Sequence, residues 1–443
     1  MSGENKTNGV GLGSQTEERR HTQHRRGFLT SSAAIVAALA TAKNSFANSL
    51  PFQNQEANKQ PESDADFQEL AEFYSLEKGL GYLNHASIGC VPIPVQKARA
   101  EYLRICESNP WLHIWGDAWK APLDSVRQDV AGVMGCDSEE IAITHNTTEM
   151  FNTLANGLPL EAEDEVLFSS LCHSGACIPF SHRAELGMYK ARRFDFPVSL
   201  LPSITAQQVV DAYMEQVTDA TKVLVLPHLD NTVGILYPIK QLAAAAREKG
   251  VEFIVVDAAQ TVGMLPVDCH DLGVDVVATS GHKWLGGPKG TGLAYVNKRL
   301  TDSLNPLVVT WGQRSWSTSA RKFEDYGTRN LPEALTLGNA IEFIQQIEPA
   351  RREKRLKDLW TFTRGLVEQS DSLKWNSPDT WAMSGSLYSI RVEKPAARLA
   401  KELFEENKIV LRPFGTLGLN NLRVSPNVFT TKAEIQKLIG LVS

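Results

Sequence analysis

The segment Thr279-Ser280-Gly281-His282-Lys283-Trp284-Leu285-Gly286-Gly287-Pro288 lies between two apolar runs, at 274–278 and 293–296. This pattern predicts a buried strand, a turn rich in glycine and proline, and a second strand. Lys283 therefore follows the end of a strand, where burial lowers the pKa of an amine and frees more of it from its proton. Such an amine suits Schiff-base chemistry, although a lone loop lysine is more often an inert, solvated side chain. The choice depends on the rest of the chain.

Other apolar runs alternate with helical patterns between residues 141 and 296. This alternation of strand, loop and helix predicts an α/β domain with a mostly parallel sheet. The run before Asp257 is nearly continuous in apolar residues, as in a strand that is buried on both faces. The predicted strands in this part of the chain, including the run before Asp257, are 140–144, 164–169, 221–226 and 251–256.

Polar residues follow the ends of these strands, where parallel sheets bind ligands. Asp257 ends a buried strand, and a carboxylate there is costly unless a cation pairs with it. Thr147 and Thr148 precede a helical pattern, and a helix N-terminus favours an anion such as phosphate. The same threonines are typical of a simple helix N-cap. His173 and Asn231 follow two other strands, where each can contact a ligand or only form a turn.

The chain changes character after residue 296. A long helical pattern runs from about 332 to 368 with a break at Pro349, and short strands and helices alternate after 372. We expect strands at 387–392, 409–412 and 422–425, with helices at 396–406 and 431–441. The predicted domains are a signal region at 1–47, a linker and N-terminal arm at 48–80, a large α/β domain at 81–325 and a small α+β domain at 326–443.

Composition excludes several classes of protein. The 443 residues are 42% hydrophobic and 22% charged with a formal net charge of −6, which is ordinary for a globular protein. No basic block indicates nucleic-acid binding, and the stretch 286–292 lacks the spacing of a phosphate-binding P-loop. The six cysteines form no CxxC pair and no metal-ligand spacing, so we expect no metal and free, mostly buried thiols.

The N-terminus has the layout of an export signal. Arg25-Arg26-Gly27-Phe28-Leu29 precedes an alanine-rich apolar run at 33–42, and Ser45-Phe46-Ala47 offers a cleavage site. The arginine pair resembles a Tat signal, which predicts a partner in the Tat export machinery and a periplasmic or extracytoplasmic location. A membrane-anchored N-terminal helix is the alternative.

Four motifs in this order resemble those of the class V aminotransferase-like enzymes, which are pyridoxal phosphate (PLP) enzymes of fold type I. The resemblance extends to Arg423-Val424-Ser425-Pro426 and is strongest to the isopenicillin N epimerase-like and cysteine desulfurase-like branch. It implies a large α/β domain with a mostly parallel seven-stranded sheet and a small α+β C-terminal domain. The motifs are Asn146-Thr147-Thr148-Glu149, Asp257-Ala258-Ala259-Gln260, Ser280-Gly281-His282-Lys283 and Tyr326-Gly327-Thr328-Arg329.

The resemblance implies a role for each candidate residue. Lys283 should form the Schiff base with PLP and then act on the substrate Cα proton. Asp257 should pair with the ring nitrogen, and His173 should stack on the ring and complete the catalytic set. Thr328 should reach the phosphate of a neighbouring subunit, which implies a homodimer with shared active sites. The remaining implied contacts are Thr147, Thr148, Ser280 and His282 to the phosphate, Gln260 and Asn231 on the ring-hydroxyl side, and Arg423, Asn84 and His85 on the substrate side.

The expected function is a reaction of an amino acid or a similar small amine, with an aminotransferase or epimerase outcome. Desulfurases of this family use a cysteine upstream of the arginine that matches Arg423, but no cysteine follows Cys269. A C–S or C–N lyase without a persulfide cysteine stays open as an alternative. A catalytically silent binding protein is the third reading, and the presence of both Lys283 and Asp257 argues against it.

Overall fold

The predicted apolar runs form the centre of a seven-stranded sheet in the computed structural model, which describes residues 45–46, 50, 61 and 63–443. The strands are β1 Gly81–Tyr82, β2 Ile141–Thr144, β3 Glu165–Ser169, β4 Lys190–Phe194, β5 Thr221–Pro227, β6 Phe253–Asp257, β7 Val276–Ser280, β8 Gly292–Val296, β9 Lys374–Trp375, β10 Tyr388–Arg391, β11 Ile409–Val410, β12 Arg412–Phe414 and β13 Asn421–Val424. The large sheet has the order β2-β8-β7-β6-β5-β3-β4. Strand β8 is antiparallel to both of its neighbours, and the other pairs are parallel. The predicted α/β sheet is confirmed.

Burial explains which strands the sequence showed. Every residue of β2, β3, β6, β7 and β8 is buried, so these strands appear as continuous apolar runs. Strand β4, with the sequence KARRF, lies at the edge of the sheet and is mostly exposed or half-buried. Charged residues are common on edge strands, and they hid β4 from the apolar pattern.

Helices cover both faces of the large sheet. One hydrophobic cluster joins the sheet to α3, α6, α7 and α11, and a second joins the opposite face to α4 and α5. The helices are α1 Asp64–Glu69, α2 Ile93–Ser108, α3 Lys120–Met134, α4 Thr147–Gly157, α5 Ser174–Glu185, α6 Ala206–Met214, α7 Ile239–Glu248, α8 Cys269–Leu272, α9 Lys298–Thr301, α10 Gly312–Ser315, α11 Leu331–Ile344, α12 Pro349–Glu368, α13 Ala396–Asn407 and α14 Lys432–Val442.

The C-terminal part forms an antiparallel sheet of order β12-β13-β10-β9, with α12, α13 and α14 packed in the same region. Strand β1 pairs with β11 of this part, and Leu83 lies in its core. Helix α11 instead packs on α2 and α3 in the large layer. These contacts do not fix a domain boundary, so the boundary predicted at 325/326 stays a prediction.

Most of the predicted signal region 1–47, and part of the 48–80 linker, lies outside the described residues. In the described part of the chain, no helix combines the length and apolar character that crossing a membrane requires. All six cysteines carry free thiols, as expected. Their predicted burial is right for Cys106 and Cys269 but wrong for the other four, which are only half-buried because they lie near element ends.

Candidate active site

The strand directions bring the predicted site residues to one edge of the sheet. Because β2, β3, β5, β6 and β7 all point the same way, their carboxyl ends meet at this edge. Thr147 and His173 follow β2 and β3, Asn231 follows β5, Asp257 ends β6 and Ser280 ends β7. Ligands bind at this edge in open α/β sheets.

Lys283 lies just beyond β7 and has an unusually acidic ammonium group. Burial lowers its pKa to about 8, while Asp257 opposes the change and the charges of Arg423 and Arg412 add to it. With a pKa of about 8 rather than about 10.5, roughly 300-fold more of the amine is unprotonated at pH 7. The chain thus prepares a nucleophilic amine at this position.

The loop before α2 closes tightly over the backbone of Lys283. Gly89 donates its N–H to the carbonyl of His282 at 3.0 Å. A Cβ atom at Gly89 would lie only 1.9 Å from the Lys283 carbonyl oxygen, so any larger residue would force the loop away. This contact fixes the segment that carries the amine.

Asp257 presents a buried carboxylate to the same space. Its side chain is 6% exposed, and Oδ1 accepts the N–H of Ala259 at 2.9 Å. One strong backbone donor orients the carboxylate and leaves the other oxygen for a cation. Its negative charge acts on both Lys283 and His173.

His173 is held in one orientation and one tautomer. It is the N-cap of α5, and its Nδ1 accepts the N–H of Gly175 at 3.0 Å. The proton of the neutral ring is therefore on Nε2. Burial lowers the pKa of His173, Asp257 opposes this, and the charge of Lys283 adds to it, so the ring is neutral near pH 7.

Two of the predicted phosphate residues form a polar cradle at the start of α4, where the hydroxyls of Thr147 and Ser280 are 2.7 Å apart. His282, two residues beyond Ser280, has a buried Nδ1 atom without a hydrogen-bond partner. The expected N-cap is wrong: Asn146 caps the helix by accepting the N–H of Glu149, because its extended backbone places the side chain there. This shift leaves the threonine hydroxyls free from capping.

Thr148 faces the turn that carries His173. A Cβ atom added to Gly175 would lie 2.5 Å from the Thr148 Oγ1 atom, so the two segments approach closely. Both helix starts, of α4 and α5, therefore meet at the same part of the site. Their N–H groups and dipoles favour an anion there.

Gln260 is fixed by the protein at both ends of its amide. It donates from Nε2 to the carbonyl of Ala86 at 2.8 Å, and its Oε1 accepts the indole N–H of Trp284 at 2.9 Å. The Nε2 group has a second hydrogen, which could be donated to the ring oxygen in the contact that the family resemblance implies. That contact stays a prediction.

Arg423 is a buried guanidinium with several polar neighbours. It donates to the Asn84 Oδ1 atom at 3.0 Å, to the Ser87 hydroxyl at 2.5 Å and to the Asn231 carbonyl at 2.8 Å. Burial, reinforced by the charge of Arg412, lowers its pKa to about 9. The structure thus brings Asn84, Asn231 and Arg423 together, although Asn231 contributes its backbone.

His85 is surrounded by aromatic rings. It is fully buried, and the rings of Tyr82, Trp284 and Phe429 lie 5.2 to 5.9 Å from its own. Neither ring nitrogen has a hydrogen-bond partner, and burial lowers its pKa to about 3. This is the environment of a neutral core residue, and its predicted place beside the substrate stays a prediction.

Thr328 is exposed in a loop that two contacts hold in place. The ring of Tyr326 packs on that of His145 at 4.4 Å, directly before the α4 cradle. Arg329 pairs with the buried Glu324 at 3.0 Å. The loop thus leaves Thr328 exposed at the surface of the chain.

Two sets of charged residues near the site were not predicted from the sequence. Arg412 lies directly opposite Arg423 in the β12–β13 pair and influences Lys283 electrostatically. The two arginines are 11 residues apart in the sequence, and only the pairing of the two strands shows that they face each other. Glu324 and Arg127 form a buried ion pair at 2.9 Å, and no local motif marks partners so distant in the chain.

One group of metal-ligand residue types lies elsewhere. Asp137, Glu140 and His270 bring donor atoms within 4.8 Å of one another. These donors already have partners, because His270 pairs with Glu140 at 2.6 Å and Lys298 pairs with Asp137 at 2.7 Å. We assign no metal to them.

Comparison with known proteins identifies the family. The model of the class-V aminotransferase family matches residues 81–438, which is most of the chain. The chain therefore belongs to the class V aminotransferase family.

Relatives and solved structures agree with this family. A probable cysteine desulfurase of Halobacterium salinarum is 30% identical over 402 residues, covering 85% of this chain and 94% of that protein. Isopenicillin N epimerase of Amycolatopsis lactamdurans is 28% identical, covering 82% and 94%. A structure of the cystine C–S lyase C-DES has a TM-score of 0.75 at 23% identity, covering 83% of this chain and 98% of its own. At that identity the likeness concerns the fold.

PLP is the cofactor of this family, and a C-DES structure holds it covalently linked to glycine. The residues of this chain fit the group. They supply an acidic lysine at a strand end, a buried carboxylate, and a cradle with the orphaned Nδ1 of His282. The protein is a PLP-dependent enzyme of the class V aminotransferase type.

Proposed function

We propose that the enzyme removes the Cα proton of an amino acid, with an aminotransferase or epimerase outcome. The observation that carries the proposal is the buried amine of Lys283, whose pKa is lowered to about 8 and on which the charges of Asp257 and Arg423 both act. PLP, when bound, supplies an electron-withdrawing ring that acidifies the Cα proton. The proposal covers what the side chains of this protein do around that ring.

Lys283 has two tasks in this proposal. Its Nζ atom would hold the cofactor covalently, and the same amine, when free, would accept the Cα proton of the substrate. A pKa near 8 suits both tasks, because the amine must be unprotonated to attack and basic enough to hold a proton. The buried carboxylate of Asp257 would hold a proton on the ring nitrogen of the cofactor, and the neutral ring of His173 would stack on that ring.

The phosphate anchors the cofactor in the α4 cradle. Thr147, Thr148 and Ser280 offer hydroxyls there, and the ring of His282 offers its unpartnered Nδ1 atom. Gln260 would donate to the oxygen substituent of the ring and so orient it, with Asn231 on the same side.

Arg423 holds the substrate carboxylate, with Asn84 and His85 on that side. A buried guanidinium suits a carboxylate, and the substrate would take the place of Asn84 and Ser87, which accept both Nη2 hydrogens of Arg423 in this structure. Arg412 faces it across two strands, and like charges in that arrangement repel. An anionic substrate relieves this repulsion, so we propose a substrate with a second acidic group near Arg412.

A panel of amino acids tests the reaction. Each is incubated with the holoenzyme, with and without a keto-acid acceptor, and the products are scored as keto acid, epimer and sulfide. We expect acceptor-dependent keto acid or an inverted Cα centre. Keto acid with sulfide or ammonia in the absence of an acceptor would instead support the lyase, which the desulfurase relatives make the second candidate.

We also propose a homodimer with shared sites. The Thr328 loop lies beside a cleft of about 290 Å³, and the nearby side chains of Trp111, Trp311 and Val309 are 71 to 76% exposed. A second copy would cover this apolar surface and receive Thr328 at its phosphate site. Mixing inactive Lys283→Ala and Thr328→Asp chains should restore activity, because one of the two hybrid sites is intact. Failure of well-mixed hybrids to regain activity would exclude shared sites.

Export is a separate proposal that is based on the sequence of residues 1–47. We propose that the Tat machinery carries the folded enzyme, with its cofactor, to a periplasmic or other extracytoplasmic location. Replacing Arg25 and Arg26 by lysine should retain the protein in the cytoplasmic fraction. Unchanged fractionation of this variant would reject the Tat assignment.

A further inference from the structure

Two thiols flank His173 at the start of helix α5. Cys172 lies in the turn after β3, and Cys177 lies in the first part of α5. The Cys177 sulfur is 3.9 Å from the Cys172 carbonyl oxygen, and the Cys172 sulfur is 3.9 Å from the His173 carbonyl oxygen. The two sulfurs thus lie beside adjacent carbonyl oxygens of the same turn. Both residues are half-buried.

The environment makes the two thiols unequal. The hydrogen bond from Cys172 lowers the pKa of Cys177, burial opposes this, and the N–H groups at the start of α5 and the charge of Arg193 add to the lowering. The same hydrogen bond and burial raise the pKa of Cys172. A more acidic thiol beside a less acidic partner is the arrangement of a reactive cysteine with a resolving cysteine.

We propose that Cys172 and Cys177 form a redox-responsive thiol pair that closes to a disulfide at the cofactor site. The oxidant is a disulfide compound such as oxidised glutathione. The Cys177 thiolate attacks one of its sulfurs, and the first glutathione leaves as a thiolate. Cys172 then loses its proton and attacks the Cys177 sulfur, which releases the second glutathione. Two protein thiols become one disulfide, and the oxidant becomes two thiols.

The disulfide would close a covalent ring around His173. Residues 172 and 177 are five positions apart, and His173 lies between them with its ring oriented by Gly175. A bond between Cys172 and α5 therefore restricts the movement of the His173 ring, which we propose stacks on the cofactor. This consequence, but not the formation of the disulfide, depends on the proposed function of His173.

The chain contains a matched control pair. Cys136 and Cys269 are a second pair of thiols, in which Cys136 and burial raise the pKa of Cys269, and Cys269 is fully buried. Cys269 begins α8, which precedes β7, whereas the active site follows the carboxyl end of β7. The control pair thus lies at the opposite edge of the sheet.

The experiment treats the holoenzyme with buffers of increasing oxidised-to-reduced glutathione ratio. Digestion and mass spectrometry then map each cysteine, and turnover is measured in the same samples. We expect a peptide that links Cys172 to Cys177, two hydrogens lighter than the reduced form, and a fall in turnover of about tenfold or more that dithiothreitol reverses. The Cys136→Ser/Cys269→Ser variant should respond like the parent, and the Cys172→Ser/Cys177→Ser variant should not.

Two results would overturn the proposal. One is that both thiols stay free in the most oxidising buffer, while an alkylating reagent still reaches them. The other is a complete Cys172–Cys177 disulfide with unchanged turnover. Because thiol mapping needs no substrate, it tests the pair even if the proposed amino-acid reaction fails.

Discussion

Replacing Glu324 by glutamine should destabilise the enzyme far more than an ordinary surface substitution. Glu324 is 1% exposed and pairs with Arg127 at 2.9 Å and with Arg329 at 3.0 Å. Its carboxylate also accepts the N–H of Ile143 in β2 at 2.9 Å. One carboxylate therefore joins helix α3, the large sheet and the Thr328 loop. The glutamine keeps the shape but leaves the buried charge of Arg127 without a partner.

The magnitude follows from the charges. Burial raises the pKa of Glu324, but Arg127 and Arg329 outweigh burial and hold the pKa at about 2, against an ordinary value of 4.5. That difference corresponds to about 3 kcal/mol of folding free energy, at ~1.4 kcal/mol per pH unit. Breaking a buried ion pair from one side costs about 3–5 kcal/mol, which agrees. Because the folded pKa is depressed, this stability is present above pH 4.5 and is lost as the pH falls towards 2.

Urea unfolding of the holoenzyme at saturating PLP tests this prediction. At pH 7, Glu324→Gln should lose about 3 kcal/mol, and the gap from the parent should narrow as the pH is lowered from 5 to 3. Glu163→Gln is the control, because Glu163 pairs with Lys190 at the exposed surface and its loss should cost far less than that of Glu324. A Glu324→Gln variant within 1 kcal/mol of the parent, or a gap that does not change with pH, would refute the reasoning.

Further substitutions test the site itself. The rate at which added PLP attaches to the apoenzyme should rise with pH around a midpoint of about 8, because the unprotonated Lys283 amine attacks; a midpoint near 10 would contradict the lowered pKa. Asp257→Asn should lower the pH midpoint of attachment, because Asp257 raises the pKa of Lys283, and it should reduce kcat by about 10²-fold or more. An unchanged spectrum and rate would show that Asp257 does not belong to the site. Arg423→Lys should raise KM by about tenfold or more while cofactor loading is retained, because lysine lacks the bidentate geometry, and equal KM values would exclude it as the carboxylate ligand. Arg412→Gln should raise KM for substrates with two acidic groups more than for those with one, and an equal effect on both would reject the second acidic subsite.

The sequence predicted the sheet and the residues at its edge because burial and strand ends leave local marks. The runs before Asp257 and Ser280 are apolar because β6 and β7 are buried on both faces. Strand β4 was missed because its edge position tolerates charge. A threonine was expected to be the N-cap of α4, but Asn146 takes this position because its backbone is extended. The sequence pattern did not predict that backbone conformation.

Long-range partners were the part that the sequence could not show. The opposition of Arg412 and Arg423 depends on the register of β12 and β13, and the ion pair of Arg127 with Glu324 joins residues 197 positions apart. The aromatic enclosure of His85 likewise depends on rings from distant segments. Local patterns predict what an element is, whereas these contacts depend on how elements pack.

Attachment of the cofactor to Lys283 is the central claim, and one spectrum with peptide mapping tests it. The purified protein is examined by visible absorbance before and after borohydride, which fixes the bond between lysine and cofactor, and the modified peptide is then sequenced. We predict a yellow band that bleaches on reduction and a modification that maps to Lys283. A protein that stays colourless with added PLP, or a modification that maps to another lysine, would contradict the account.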